Sequence, residues 1–193
     1  MSLIASYSGL PFEAGLDEAG RGCLAGPVVA AAVVLPSDFS HPLLDDSKKL
    51  THEKRLAVRE AILDEALAWN VGMKSAPRID EINILQANFE AMHEAIAGLD
   101  PLPLHLIIDG NAFKTYESLP HTCIVKGDSK YMSIAAASIL AKTYRDEVME
   151  YLDHEYPQYG WKGNKGYPTK AHKEAIQIHG PSPYHRRSFK WQT

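Results

Sequence analysis

The 193-residue chain has little cysteine: Cys23 and Cys123 alone, with no CxxC spacing. That excludes a disulfide framework and fits a reducing cytoplasm, where the protein is expected to reside. Both thiols stand in apolar surroundings and are expected to serve as buried packing groups. Long hydrophobic runs are missing as well. The apolar run 27–36 is closed by prolines and falls well short of the ~20 residues that span a bilayer, so no membrane segment is expected. The opening residues, MSLIASYSGLPFE, lack a basic stretch followed by an apolar one, and no secretory signal is expected. Repeats and low-complexity linkers are absent, and the length suits one domain with a substantial core, 1–193. No sign of charge dominates either: a net charge of −4 argues against a purely electrostatic coat protein for nucleic acid.

The mean hides an asymmetry. From Trp161 onward seven lysines and arginines face a single acid, Glu174, so that segment carries +6 and the rest of the chain −10. Trp161, Tyr167, Tyr184, Phe189 and Trp191 lie among those charges. Basic and aromatic residues interleaved in this way suit a phosphate backbone with stacked sugars or bases. A solvated basic tail is the plain alternative.

Hydrophobic periodicity gives the organisation. Residues 12–17 read as a short strand, and the β-branched and alanine run 28–35 as a strand buried on both faces. Thr51 can cap a helix predicted to reach Trp69, with Val58, Ile62, Ala66 and Trp69 on one face. Residues 71–75 alternate weakly, as an edge strand would. The clearest helix is 80–97, where Ile82, Leu85, Phe89, Met92 and Ile96 step by three and four; Gly98 and Pro101 end it. Strands follow at 104–109 and 122–127. A long helix is expected from near Ser129 to Tyr156, and a last one from Pro168 and Thr169 to Ile178. Strands first, then strands alternating with helices, make an α/β layer architecture on a mixed sheet.

Acids fall at the ends of these elements. Asp17 and Glu18 close the first predicted strand, Asp109 closes the strand 104–109, and Asp128 lies between a strand and the long helix. Strand ends along one edge of an α/β sheet form the usual crevice for ligands. Carboxylates gathered there repel one another unless a cation neutralises them. Ligands that are all oxygen suit Mg²⁺ or Mn²⁺ rather than zinc. Two such ions can activate a water and stabilise a leaving oxygen in phosphodiester hydrolysis. Each acid taken alone is equally a cap or turn residue, because Asp109 before Gly110 and Asp128 before Ser129 are good turn formers.

Gly20, Arg21 and Gly22 follow the first pair of acids. The dinucleotide fingerprint runs from glycines into a helix, whereas here they lead to another strand. A glycine pair lets the backbone approach a sugar–phosphate chain closely, and Arg21 adds a charge; a tight hairpin turn is the alternative. Ser47 and Lys48, in DDSKKL before a helix start, are candidate phosphate contacts. Tyr167, between Gly166 and Pro168, is an aromatic in a rigid loop that could stack on a sugar or base, or pack against the domain. Arg186 and Arg187 are candidate duplex contacts in the basic segment.

The stretches GLDEAGRGCLAGPVVAAAVVL, DDSKKL, IDEINILQANFEAM, LIIDGN, KGDSKYMSIAAASILAKTYRD, YPQYGWKGNKGYPTKAH and GPSPYHRRSF closely resemble bacterial ribonuclease HII, in that family's order and over nearly the whole chain. The resemblance implies a ribonuclease H-like mixed five-stranded sheet flanked by helices, with residues 157–193 as a basic, helical C-terminal extension that binds substrate. It implies a metal-dependent endonuclease acting on RNA–DNA hybrids and on duplex DNA with a single embedded ribonucleotide. The cut is expected on the 5′ side of the ribonucleotide, leaving a 3′-hydroxyl and a 5′-phosphate. Carried over residue by residue, the family's four catalytic and metal-binding carboxylates fall on Asp17, Glu18, Asp109 and Asp128. Its glycine–arginine–glycine sensor of the ribose 2′-OH falls on Gly20, Arg21 and Gly22, and its junction-reading tyrosine on Tyr167. Mg²⁺ or Mn²⁺ is the implied cofactor, in a two-metal mechanism. Few residues precede the first motif, which disfavours the related type HIII enzymes with their extra N-terminal domain. No protein partner is evident, and a monomer is expected.

Two other readings stand beside the endonuclease. A catalytically silent hybrid-binding module would keep the basic segment but has no need of four acids. Another nuclease of the same fold, such as a junction resolvase, shares the carboxylates but has no use for a 2′-OH sensor.

Overall fold

The computed structural model describes residues 3–44 and 50–191. Five strands form one sheet: β1 (Glu13–Ala19), β2 (Val28–Val34), β3 (Ala68–Lys74), β4 (His105–Asp109) and β5 (His121–Ile124). Their order across the sheet is β3-β2-β1-β4-β5. β1 pairs antiparallel with β2 and parallel with β4, β2 pairs antiparallel with β3, and β4 runs parallel to β5. The mixed five-stranded sheet flanked by helices is therefore present as expected.

β2, VVAAAVV, is buried at every position because it lies between β1 and β3 and is covered on both faces. Its even-numbered residues join Ala14, Leu16, Ala91, Met92 and Ile96 on the side of α3 (Ile84–Ala97). Its odd-numbered Ala31 and Val33 join Ile62, Ile139 and Leu140 on the side of α1 (His52–Glu65) and α4 (Met132–Glu155). Strand alternation thus divides one sheet between two cores.

Several predicted boundaries shift: the strand expected at 122–127 ends at Ile124, the long helix begins at Met132, and three further changes have a clear cause. The helix capped by Thr51 ends at Glu65, not Trp69. Leu67 N–H donates to Val34 O, and Trp69 pairs with Val33 in β3. Sheet pairing overrides the helical spacing of Ala66 and Trp69. The edge strand expected at 71–75 is real but begins three residues earlier. The helix expected over 80–97 is two: α2 (Ala76–Ile82) and α3, broken at Asn83. Asn83 takes φ 67° and its Oδ1 accepts the N–H groups of Leu85 and Gln86 at 2.9 and 3.1 Å, so its side chain starts a new helix.

The C-terminal region holds a 3₁₀ turn at Pro157–Tyr159, then α5 (Trp161–Asn164) and α6 (Lys170–His179). It is no detached tail. Tyr159, Trp161 and Ile176 form a third core with Leu24, Ala25, Met149 and Leu152. Among the described residues no helix is long and apolar enough to cross a membrane. Cys23 is buried and Cys123 half-buried, both as free thiols.

Candidate active site

The sheet register places the acids. β1 and β4 run parallel, and their last paired residues are Leu16 and Ile108. Asp17 and Asp109 follow those partners directly, so they leave neighbouring strands at one end and on one face. That face meets α4. A Cβ on Gly15 would lie 2.2 Å from the Ser133 carbonyl carbon, so only glycine lets α4 settle on β1. Close packing brings Ser138 of α4 to the Asp17 carboxylate as a hydrogen-bond partner. Glu18 points to the opposite face, where Asn88 of α3 bonds it. Asp128 is buried in a 3₁₀ turn, Gly127–Ser129, that leads into α4. The neighbouring Gly127 N–H donates to Asp109 Oδ1 at 2.6 Å, which ties this turn to the end of β4.

These acids feel one another. Burial raises the pKa of Asp17 well above its ordinary 3.8, and the charges of Glu18 and Asp109 push it further. Burial also raises Glu18, against the opposing pull of Arg21, whose Nη1 lies 2.9 Å from Glu18 Oε1. Asp17, Glu18 and Asp109 are thus within electrostatic reach, with Asp128 one residue beyond the Gly127 amide that Asp109 binds.

Their oxygens form the hard donor set that suits Mg²⁺ or Mn²⁺. The repulsion raising Asp17 is what such a cation would relieve. The acids are gathered, but not closed into a cage: among the described residues no group of three or more Asp, Glu, His or Cys could hold a metal ion as the side chains stand. Protein donors hold the carboxylates instead. Glu18 is bonded by Arg21, Asp17 by the Glu18 N–H at 2.7 Å, and Asp109 by Gly127.

A cleft of about 450 Å³ opens beside Glu18. Glu18, Gly20, Arg21, Gly22 and Tyr167 line it together with Arg55, Ser138 and Lys142. The glycine turn and the tyrosine, 145 residues apart in sequence, therefore share one wall with Glu18. Gly20 has φ 92°, and a Cβ there would lie 2.0 Å from Arg145 Nε, so the fold itself demands glycine. Gly22 differs: a Cβ there would meet nothing within 4 Å. Its bareness leaves room in the cleft. Tyr167 is presented from a loop and is 42% exposed, as the proline after it suggests. Burial raises its hydroxyl pKa, with Cys23 as a neighbour.

Arg186 does not reach solvent. Its guanidinium is fully buried and donates to the carbonyl oxygens of Arg21 at 2.9 Å, Gly26 at 3.0 and 3.1 Å, and Pro27 at 3.1 Å. Burial lowers its pKa to about 10, which still leaves it charged at neutral pH. Arg145 is its counterpart from α4 and donates to Ala25, Pro27 and Lys165 carbonyls. Two buried arginines therefore hold the loop after the glycine turn. Any effect of Arg186 on a ligand runs through that loop. Arg187 is exposed, and its backbone N–H donates to Asp80. Ser47 and Lys48 lie outside the described residues.

Arg55, Ser138, Lys142, Asn88 and Arg145 were not singled out by the sequence reading. One signal was available. Ser138 and Lys142 stand four apart in the largely apolar first half of α4, and so share a face. Arg55 and Asn88 carry no comparable mark.

The ribonuclease HII family matches over residues 14–192. The chain is similar to ribonuclease HII of Phocaeicola vulgatus, 63% identical over 92% of this chain and 88% of that one. It is 54% identical to ribonuclease HII of Cytophaga hutchinsonii, over 100% and 96% of the two chains. Among solved structures, the fold is similar to the RNase HII of Archaeoglobus fulgidus, determined as a complex with PCNA. The TM-score is 0.78 at 27% identity, covering 94% of this chain and 96% of that one.

Proposed function

The chain belongs to the ribonuclease HII family and is an endoribonuclease of the ribonuclease H type, and from that premise we propose what it cuts and how. Its substrates are RNA–DNA hybrids and duplex DNA carrying a single ribonucleotide. The strand is hydrolysed on the 5′ side of the ribonucleotide and keeps a 3′-hydroxyl and a 5′-phosphate. The observation that carries this reading is the one cleft that Glu18 shares with Gly20, Arg21, Gly22 and Tyr167.

Each residue has a task. The bare backbone at Gly20 and Gly22 approaches the ribose, and its peptide groups with Arg21 read the 2′-OH, a group that both donates and accepts. The Tyr167 ring stacks on the sugar at the step from RNA to DNA. Arg21, Arg55 and Lys142 face phosphates across the cleft, and Arg187 extends that contact along the duplex; from the sequence alone, Ser47 and Lys48 are further candidate phosphate contacts. Arg186 acts from within, by fixing the loop that carries the glycines. Asp17, Glu18, Asp109 and Asp128 hold Mg²⁺ or Mn²⁺, with Glu18 exchanging its bond to Arg21. Two such ions, when bound, would supply Lewis acidity and lower the pKa of a water towards neutrality. The enzyme works as a monomer in the cytoplasm, where its two free thiols stay reduced.

The test is a cleavage assay with Mg²⁺ on a duplex containing one ribonucleotide, beside an all-DNA control. Wild-type protein should cut only the first, and Asp109→Asn neither. Equal cutting of both duplexes, or near wild-type turnover by Asp109→Asn at saturating Mg²⁺, rejects the reading.

A further inference from the structure

Tyr167 sits in a loop with Lys165 at φ 50° and Gly166 at φ 79°, yet a ring that reads a junction has to stand in one place. The Tyr167 carbonyl accepts the Thr169 N–H at 2.8 Å, and a buried pair of histidines adds a second, side-chain constraint on it. His172, in the first turn of α6, has Nδ1 2.9 Å from the Tyr167 carbonyl oxygen. A carbonyl can only accept, so Nδ1 carries the proton. The Trp161 indole N–H can only donate, and it lies 3.0 Å from His172 Nε2. Both contacts require the same neutral tautomer.

The second histidine fits the first. His185 Nε2 lies 3.1 Å from His172 Nε2 and must therefore donate to it. Its Nδ1 is then the acceptor, and Ser182 offers both its backbone N–H and its hydroxyl there, each at 2.9 Å. Two donors converge on His172 Nε2 and two on His185 Nδ1, so neither nitrogen carries a proton, and a further proton on either ring would set two N–H groups against each other.

The surroundings keep both rings neutral. His172 is fully buried and His185 nearly so. Tyr159 packs 4.6 Å from the His185 ring, Trp161 5.3 Å and Trp191 6.0 Å, while His179 meets Tyr159 rather than either ring. Arg186 aims its guanidinium away, at the Arg21, Gly26 and Pro27 carbonyls. The bonded partners of the pair are indole, hydroxyl, amide and carbonyl groups, none of them a carboxylate. Burial lowers the pKa of His172, and burial with the neighbouring His172 takes His185 down to about 4.

We propose that His172 is a positioning residue for Tyr167: locked in one tautomer by Trp161 and His185, it fixes through the Tyr167 carbonyl where that ring meets the substrate. This rests on Tyr167 being the sensor of the RNA-to-DNA step. The function of His172 is thus to set the position of the Tyr167 carbonyl, and it touches no substrate itself.

Two isosteres separate positioning from plain structural support. His172→Asn puts an amide nitrogen near the Nδ1 place and can still donate to Tyr167. His172→Gln puts its amide near the Nε2 place, where it can satisfy Trp161 but cannot reach the Tyr167 carbonyl. Both variants should lose thermal stability. The readout is the ratio of kcat/KM on a single embedded ribonucleotide to that on a continuous hybrid. His172→Asn should stay near the wild-type ratio, and His172→Gln should fall by about fivefold, the worth of one hydrogen bond. Equal ratios in the two variants overturn the proposal. In protein with ¹⁵N-labelled imidazoles, NMR at pH 7 should find the proton on Nδ1 of His172 and on Nε2 of His185; the opposite tautomer at His172 also overturns it. Tyr167→Ala, assayed alongside, isolates the underlying reading. If it leaves the ratio unchanged the sensor assignment fails, whereas a changed ratio there with equal His172 variants rejects the positioning role alone.

Discussion

Arg21 Nη1 donates to Glu18 Oε1 at 2.9 Å, so the arginine of the glycine turn is tied to an acid of the sheet end. The arginine is half exposed, and such pairs contribute only about 0–1 kcal/mol. Arg21→Ala should therefore leave Tm almost unchanged and shift Mn²⁺ affinity by no more than about fivefold. Its kcat/KM on a single ribonucleotide should fall by more than roughly tenfold, the cost of a lost charged contact. Calorimetric titration with Mn²⁺ beside the kinetics checks this. A kinetic loss equal to the affinity change would mean that Arg21 acts only on Glu18.

Asp17 makes stability depend on pH in a direction opposite to that of an ordinary paired carboxylate. Its folded pKa is raised above the 3.8 of the free group, first by burial, then by Glu18 and, less, by Asp109. The folded state thus binds the proton more tightly. Its stabilising effect is complete below about pH 3.8 and is lost as pH rises through the raised folded value. Without divalent cation, Asp17→Asn should be more stable than wild type at pH 7 and should lose that advantage on acidification. Mg²⁺ should raise the wild-type Tm and leave that of the variant largely unchanged. Melting curves across pH, with and without Mg²⁺, decide; a variant less stable than wild type at pH 7 contradicts the repulsion.

The two glycines of the turn should separate folding from recognition. Gly20→Ala meets both the strain of φ 92° and the Arg145 side chain, and should cost roughly 2 kcal/mol or more. Gly22→Ala meets nothing in the protein and should keep its Tm, yet its methyl group would stand where the ribose approaches. Loss of cleavage in a fully stable Gly22→Ala is the expected result. Full activity would remove Gly22 from the substrate wall.

Much of this was legible in the sequence, for a physical reason. β2 is an unbroken Val/Ala run because it is covered on both faces, and α3 shows its apolar stripe because only one face is buried. The acids could be assigned to strand ends because short apolar runs stop at them. What failed depended on partners remote in sequence or, at Asn83, on a side-chain cap that the apolar stripe hides. Trp69 continues a helical spacing, and only pairing with Val33 makes it a strand residue. Asn83 reads as one more polar helix position until its side chain caps the next helix. Arg186 counts as a surface charge in composition, whereas three backbone carbonyls some 160 residues away enclose it. The convergence of Gly20, Arg21 and Gly22 with Tyr167 was implied by family resemblance, and no spacing rule could have shown it.

Arg186 and Arg187 are adjacent and should behave as opposites. Arg186→Ala leaves buried carbonyls without donors, at roughly 1–3 kcal/mol for each, and should destabilise the protein by more than about 3 kcal/mol. Arg187→Ala should shift stability by less than about 0.5 kcal/mol, as exposed substitutions do. It should instead lower the slope of log K against log[salt] for duplex binding by about one unit. Denaturation curves and salt-dependent binding on both variants check the contrast. An unchanged slope takes Arg187 out of the interface.

The central claim is that one cleft joins Glu18, and through it the acids at the sheet end, to the turn proposed to recognise a ribose 2′-OH. The measurement that tests it most directly uses wild-type protein, Mg²⁺ and a set of duplexes identical except at one sugar, which carries 2′-OH, 2′-fluoro, 2′-O-methyl or 2′-H. The products are mapped at nucleotide resolution. The 2′-OH duplex should be cut once, on the 5′ side of that sugar, and the other three should be cut at least a hundredfold more slowly, as expected when a buried polar contact loses its partner. Comparable cutting of the 2′-fluoro or 2′-H duplex at the same position would contradict the account.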